Sequence, residues 1–191
     1  VFIGLLLLGF ALAVLAGLRR GERPDGAAAR RGEHLATIYG CRGCHRADLT
    51  GGEWETDPKF AIEYSSNLSR LVSRYSDAEI EAMLRTGKRP DGSVLWEMPS
   101  WMFARLSTAD MRDLIAYLRT VPPAGVDHPR IVMGPGAHAE IKAGTFFDET
   151  VAIRRFSRAL PIDAGPATAR GRYIASVTCA ECHGHALDGG K

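Results

Sequence analysis

Two runs of five residues constrain this chain more than any other feature: Cys41-Arg42-Gly43-Cys44-His45 and Cys179-Ala180-Glu181-Cys182-His183. Together they hold all 4 cysteines of the 191-residue sequence, so none remains for a disulfide elsewhere. Cys-x-x-Cys-His is a specific signature of c-type haem attachment. The thiols of Cys41 and Cys44, and of Cys179 and Cys182, are expected to add across porphyrin vinyl groups as thioethers. His45 and His183 are then the proximal ligands of two irons. The spacing suits the task because two sulfurs and one imidazole must reach one rigid macrocycle from a single turn of chain. A Cys₄ zinc site would also use two Cys-x-x-Cys pairs. It gives no reason for the histidine after each pair, and these pairs lie far apart. A thioredoxin-like pair needs a βαβ context that is absent here.

The segments around the motifs repeat. Arg31-Gly32-Glu33-His34-Leu35-Ala36 resembles Arg170-Gly171-Arg172-Tyr173-Ile174-Ala175, and Leu49-Thr50-Gly51-Gly52 matches Leu187-Asp188-Gly189-Gly190 at the same distance from its histidine. Such self-similarity points to two copies of one unit. The expected organisation is a haem domain over 27–123, an interdomain connection over 124–166 rich in Pro, Gly and Ala, and the start of a second haem domain over 167–191. Val1 stands where Met would begin a complete chain, and Lys191 follows soon after the second motif, so the sequence reads as a fragment cut at both ends.

Residues 1–18 carry no charge, and Arg19 and Arg20 close the run. That is about the minimum for a membrane-spanning helix and also suits the end of a signal peptide. The segment 1–20 is therefore expected to be a transmembrane anchor or a signal. Arg19 and Arg20 on the outer side would run against the positive-inside tendency. Either way the domain that follows is exported, which agrees with haem attachment outside the bacterial cytoplasm. The remaining composition is that of a globular protein, 46% hydrophobic and 24% charged. A net charge of +2 carries no nucleic-acid footprint. There is no phosphate loop, no Ser/His/Asp set and no pair of carboxylates suited to catalysis.

The fold class expected is all-α. A helix from Ala27, with Leu35, Ile38 and Tyr39 on one face, runs into Cys41. A Gly-rich polar loop continues to about Tyr75. Ser76-Asp77-Ala78-Glu79 is a capping-box sequence opening a short helix with Ile80, Met83 and Leu84 inward and Gly87 as its stop. Arg89-Pro90-Asp91-Gly92 is a turn. Ser107 opens a helix with the stripe Met111, Leu114, Ile115 and Leu118, ended by Val121-Pro122-Pro123. A short helix is expected near 149–159.

Iron in such a site takes a sixth ligand, commonly a methionine sulfur. Met83 and Met111 lie on apolar helix faces and read as core. Met98 sits between two helices in Trp96-Glu97-Met98-Pro99-Ser100, where Pro99 keeps the preceding backbone extended. Met98 is the expected ligand and Met102 its rival. For the second haem, Met133 lies upstream in the connection and His185 is too close to His183, so its ligand is expected beyond Lys191. His34, His128 and His138 read as surface or structural residues. Trp54, Trp96 and Trp101 flank the haem loops and are expected to pack on porphyrin or in the core. Arg42, Arg46, Arg85, Lys88 and Arg89 read as a solvated charged face, with a partner-steering rim as the sharper alternative.

These residues carry a family resemblance. The Gly32 helix leads into Cys41, Cys44 and His45, followed by Ser66-Asn67-Leu68-Ser69 and Tyr75-Ser76-Asp77. Arg85-Thr86-Gly87-Lys88-Arg89-Pro90-Asp91-Gly92, Met98-Pro99-Ser100, Leu106-Ser107, Ala116-Tyr117-Leu118-Arg119 and Pro122-Pro123 complete the run. The chain resembles a tandem, multi-haem class I cytochrome c of the membrane-bound bacterial type, like the cytochrome c subunits of alcohol and aldehyde dehydrogenases. The resemblance implies a small all-helical haem fold, supports Met98 as ligand and places Asn67 near the haem. It implies two haem c groups in an electron carrier, not an enzyme. The carrier would sit at the bacterial cell membrane, haem domains on the periplasmic side. Its redox partners would be a dehydrogenase subunit, and an oxidase or soluble carrier of the respiratory chain. A di-haem peroxidase-like enzyme and a haem-based sensor are the alternatives, and each needs an open iron position.

Overall fold

Small residues spaced four apart set the central packing. Ala28, Gly32 and Ala36 form one buried stripe of helix α1, Gly26–Ile38, in the computed structural model, which describes residues 26–189. The stripe lets α1 lie against helix α6, Thr108–Leu118, with almost no space between the backbones. A Cβ built on Gly32 would sit 1.9 Å from the Asp113 carbonyl oxygen. Arg31 fastens the crossing: its Nε and Nη2 donate to the two Asp113 carboxylate oxygens at 2.6 and 3.2 Å.

Between these helices run α2 (Cys41–Cys44), strands β1 (Gly52–Asp57) and β2 (Ala61–Ser65), α3 (Leu68–Leu71), α4 (Asp77–Thr86) and α5 (Ser100–Phe103). Local chemistry fixes the ends. Ser76 and Glu79 complete a reciprocal capping box at the start of α4, Gly87 ends it at φ 67°, and Ser107 caps α6 through the Asp110 N–H. Arg119, just past α6, donates to the carbonyls of Val72 and Tyr75 and to Asp77, tying the end of α3 to the start of α4. Apolar side chains from these elements meet in one core, with Met111, Leu114, Phe103, Leu49 and Ile80 almost wholly buried.

The all-α expectation needs correcting. β1 and β2 pair antiparallel, and β3, Val132–Met133, adds to β2 to make a three-stranded sheet in the order β1-β2-β3. The glutamates at 53, 55 and 63 and a bulge at Trp54 break the apolar–polar alternation by which a strand is read from sequence.

Residues 124–166, expected as a connection with little periodicity, carry β3, α7 (Pro135–Ala143) and α8 (Glu149–Phe156), and they lie along the first domain. Asn67 Nδ2 donates to the carbonyls of Ala124 and Val126 at 2.8 and 2.9 Å. The His128 ring stacks on Tyr64 with centroids 5.7 Å apart. Phe146 fits between Phe60 and Trp96. Helices α9, Ala169–Thr178, and α10, Ala180–His183, follow. The hydrophobic segment expected over 1–20 lies outside the described residues. Among the described residues no helix is long and apolar enough to cross a membrane.

Candidate haem sites

The first motif begins where α1 stops. Gly40, at φ 75°, reverses the chain so that Cys41–Cys44 form one separate helical turn. Two side chains three apart on such a turn share a face. The turn is closed behind by His45 N–H on the Cys41 carbonyl, 2.9 Å, and by Gly51 N–H on the His45 carbonyl, 2.9 Å. Arg46 and Leu49 hold left-handed backbone at φ 63° and 61° to bring the chain back.

His45 is buried, and its Nδ1 lies 2.7 Å from the Ser66 carbonyl oxygen. A carbonyl only accepts, so Nδ1 carries the proton and Nε2 presents its lone pair. Burial also holds the imidazole below its ordinary pKa, which keeps the ring neutral. Ser66 is itself fixed by its neighbour. Buried Asn67 caps α3, receives the Ser69 hydroxyl at 2.7 Å and donates to two carbonyls of the 124–126 segment. Asn67 therefore positions the acceptor of the histidine.

Cys41 is buried and its thiol is pushed up to about 12, chiefly by that burial. Cys44 is exposed; its thiol is raised by partial desolvation and then by the carboxylates of Glu181, Glu97 and Glu63. None of the four cysteines is joined in a disulfide. Two unpaired thiols on one turn, followed by an imidazole whose Nε2 is the free nitrogen, fit a covalently attached haem. No cluster of three His, Cys, Asp or Glu suited to a bare metal ion occurs among the described residues.

The structure separates the methionines. Met83 and Met111 are buried in the main core. Met102 is 2% exposed and belongs to a second cluster with Trp101, Ala152 and Ala180. Met98 is partly buried and packs on the cluster that contains Cys41, Leu49, Val72 and Ile80. Glu97, just before it, holds φ 57°, an unusual conformation for a residue with a side chain. Trp101 is buried against Phe156, Trp96 packs on Phe146, and Trp54 is exposed on its bulge. Of the basic residues, Arg42 reaches Glu33 and the Tyr117 hydroxyl, Arg85 reaches Glu81 and two carbonyls, and Arg89 reaches the Val94 carbonyl. These three arginines are bonded within the fold.

The second motif repeats the backbone of the first. His183 N–H bonds the Cys179 carbonyl at 3.0 Å, Gly189 N–H bonds the His183 carbonyl at 3.0 Å, and Leu187 holds φ 59° as Leu49 holds 61°. Cys179, Cys182 and His183 are exposed. The motif is docked on the first domain. Val177 of α9 is fully buried in the main core, and the Tyr173 hydroxyl donates to Asp110 at 2.7 Å. His185 stacks on Phe156 with centroids 3.6 Å apart and lies 4.7 Å from the Trp101 ring.

Sequence reasoning missed three residues that organise this region. Arg105 donates to the carbonyls of Phe156, Ala159 and Ser176, holding α8 and α9 together from the first domain. Glu63 and Glu149 are buried carboxyls, both pushed up to about 8. Burial is the main cause for each, with the Glu97 charge adding to both. Contacts made to backbone carbonyls, and acids on otherwise polar segments, leave no periodic signal.

Comparison with known proteins adds the following. Residues 29–122 match the family model described as Cytochrome c. The cytochrome c subunit of alcohol dehydrogenase (quinone) from Gluconacetobacter polyoxogenes is 32% identical over 117 residues, covering 56% of this chain and 25% of that protein. The corresponding subunit of Gluconobacter oxydans is 32% identical over 115 residues, covering 56% of this chain and 24% of that protein. A diheme cytochrome c-type protein of Cereibacter sphaeroides is 28% identical over 207 aligned positions, covering 93% of this chain and 68% of that protein. The chain thus spans about a quarter of the length of the dehydrogenase subunits it matches.

Proposed function

Residues 29–122 form a domain of the cytochrome c family, and from that premise we propose that the chain is an electron carrier rather than an enzyme, holding two haem c groups and relaying electrons from a membrane-associated dehydrogenase towards the respiratory chain. The observation that carries the reading is the His45 ring, aimed by the Ser66 carbonyl beside two free thiols. The repeated backbone of Cys179–His183 and the diheme relative support the second group. The relatives' name supports a quinone-dependent alcohol dehydrogenase as the donor class.

When bound, each haem supplies an iron that exchanges one electron between the ferric and ferrous states. The chain's own residues set how readily it does so. His45 stays neutral and oriented because burial and the Ser66 carbonyl hold it. Met98 is the sixth ligand in this reading, supported by its packing on the core cluster to which Cys41 belongs, while Met102 belongs to the second cluster. A neutral thioether favours the ferrous state and raises the potential. The uncharged run over 1–18 supports attachment to the bacterial membrane, with the haem domains on the periplasmic side.

The test is redox titration of the matured protein with and without Met98→Ala. Two one-electron transitions are expected. The substitution lowers one of them, abolishes the methionine-to-ferric-iron charge-transfer band and opens that iron to carbon monoxide. An unchanged potential and spectrum would remove Met98 and bring Met102 forward. Peroxide turnover by the unsubstituted protein would replace the carrier by an enzyme.

A further inference from the structure

The loop that carries Met98 is closed by one residue from outside the matched cytochrome domain. The N–H of Glu149 donates to the Leu95 carbonyl at 3.0 Å, and the Glu149 carboxyl Oε2 accepts from the Ser100 N–H at 2.9 Å. Leu95 and Ser100 bracket Trp96-Glu97-Met98-Pro99, so both ends of the methionine loop rest on the same residue. The loop is also held from the inside, where Leu95 N–H bonds the Gly87 carbonyl at 2.8 Å.

Glu149 is 7% exposed. It opens α8, whose cap is its neighbour Asp148, accepting from the Thr150 and Val151 N–H groups. The first turn of α8 reaches the loop because Gly87 has no side chain. A Cβ there would stand 2.7 Å from the Glu149 Cβ and 3.0 Å from the Glu149 carbonyl carbon. Ala152, one turn later, packs with Trp101 and Met102, which continue from the same loop. A surface acid in the first turn of a helix normally serves the helix dipole in water. Here the acid is turned inward and spends its acceptor on a backbone group of another element.

We infer that Glu149 is a positioning residue for the first haem's sixth ligand: its backbone and carboxyl together fix the 95–100 loop that presents Met98, so the segment leading to the second motif sets the ligation of the first haem. The inference rests on the reading of Met98 as ligand. It requires only that the Glu149 oxygen accept a hydrogen bond, which both the acid and its anion do. Losing the acceptor leaves the buried Ser100 N–H only the Met98 carbonyl, 2.6 Å away within the loop itself, so the Ser100 end is no longer tied to α8 and gains by opening towards water or an external ligand.

The experiment compares matured Glu149→Ala, Glu149→Gln, Asp148→Ala and Met98→Ala proteins. The readouts are the methionine-to-iron charge-transfer band, the redox potential and imidazole binding to the ferric form. Glu149→Ala weakens the band, lowers the potential and raises the apparent imidazole affinity by roughly tenfold, the scale of one buried hydrogen bond. Glu149→Gln keeps an acceptor oxygen and restores most of the band. Asp148→Ala weakens the cap of α8 without touching the loop and leaves the band intact. An unchanged band in Glu149→Ala, with the band lost in Met98→Ala, overturns the inference and keeps the ligand. Equal losses in Asp148→Ala and Glu149→Ala reduce Glu149 to a support of its helix and also overturn it. A band that survives Met98→Ala defeats the ligand reading, and the inference falls with it.

Discussion

The α-carbon of Gly32 lies against the main chain of Asp113 so closely that a methyl group there would fall 1.9 Å from the carbonyl oxygen. That contact joins the helix leading into the first haem motif to the last helix of the domain. Gly171 holds the matching place before the second motif, and nothing stands within 4 Å of where its Cβ would be.

The two glycines therefore answer the same substitution oppositely. Gly32→Ala forces the α1–α6 backbones apart and destabilises the domain by about 3 kcal/mol, the upper range for overpacking. Gly171→Ala, in the open first turn of α9, gains up to about 1 kcal/mol from helix propensity. Chemical denaturation of the two variants beside the parent checks the sign of each.

Arg105 is the clamp between the first domain and the second motif, since one guanidinium satisfies carbonyls at Phe156, Ala159 and Ser176. Arg105→Ala leaves those carbonyls without a charged donor and costs about 3 kcal/mol. Its signature is local: amide hydrogen exchange quickens over 157–178 while α1 and α6 keep their protection. Arg105→Lys recovers only part of the loss, because an ammonium cannot fork to acceptors spread over two helices.

Glu63 makes stability depend on pH. Burial, then the charges of Glu97 and Glu55, lift its carboxyl to about 8, well above its value in an unfolded chain. The folded state then binds more protons than the unfolded state between these two values, so stability falls as pH rises through that window. Glu63→Gln removes this slope. The variant is expected to match the parent near pH 4 and to exceed it at pH 8 by on the order of 2 kcal/mol. Denaturation midpoints measured across the range give the answer, and parallel curves would contradict it.

What the sequence made legible was local. Cys41, Cys44 and His45, the Ser76–Glu79 capping box, the Gly87 stop and the Ser107 cap each depend on residues within a turn of one another, and each is where the spacing puts it. The sheet was hidden because charged residues interrupt both strands and β3 arrives from about 70 residues away. The path of 124–166 was hidden for another reason. Asn67, His128, Arg105 and Glu149 hold it through backbone groups, and a carbonyl or N–H looks alike at every position of a sequence. Met98, the ligand expected from its loop position before Pro99, and its rival Met102 join different clusters, a property of packing that neighbouring residues do not reveal.

Intact mass and pyridine haemochrome analysis of the matured chain bear most directly on the account. The account predicts two covalently held haems in the parent. It predicts one after Cys41→Ala with Cys44→Ala, and one after Cys179→Ala with Cys182→Ala. A matured polypeptide of unmodified mass, or one whose thiols hold zinc, would contradict it.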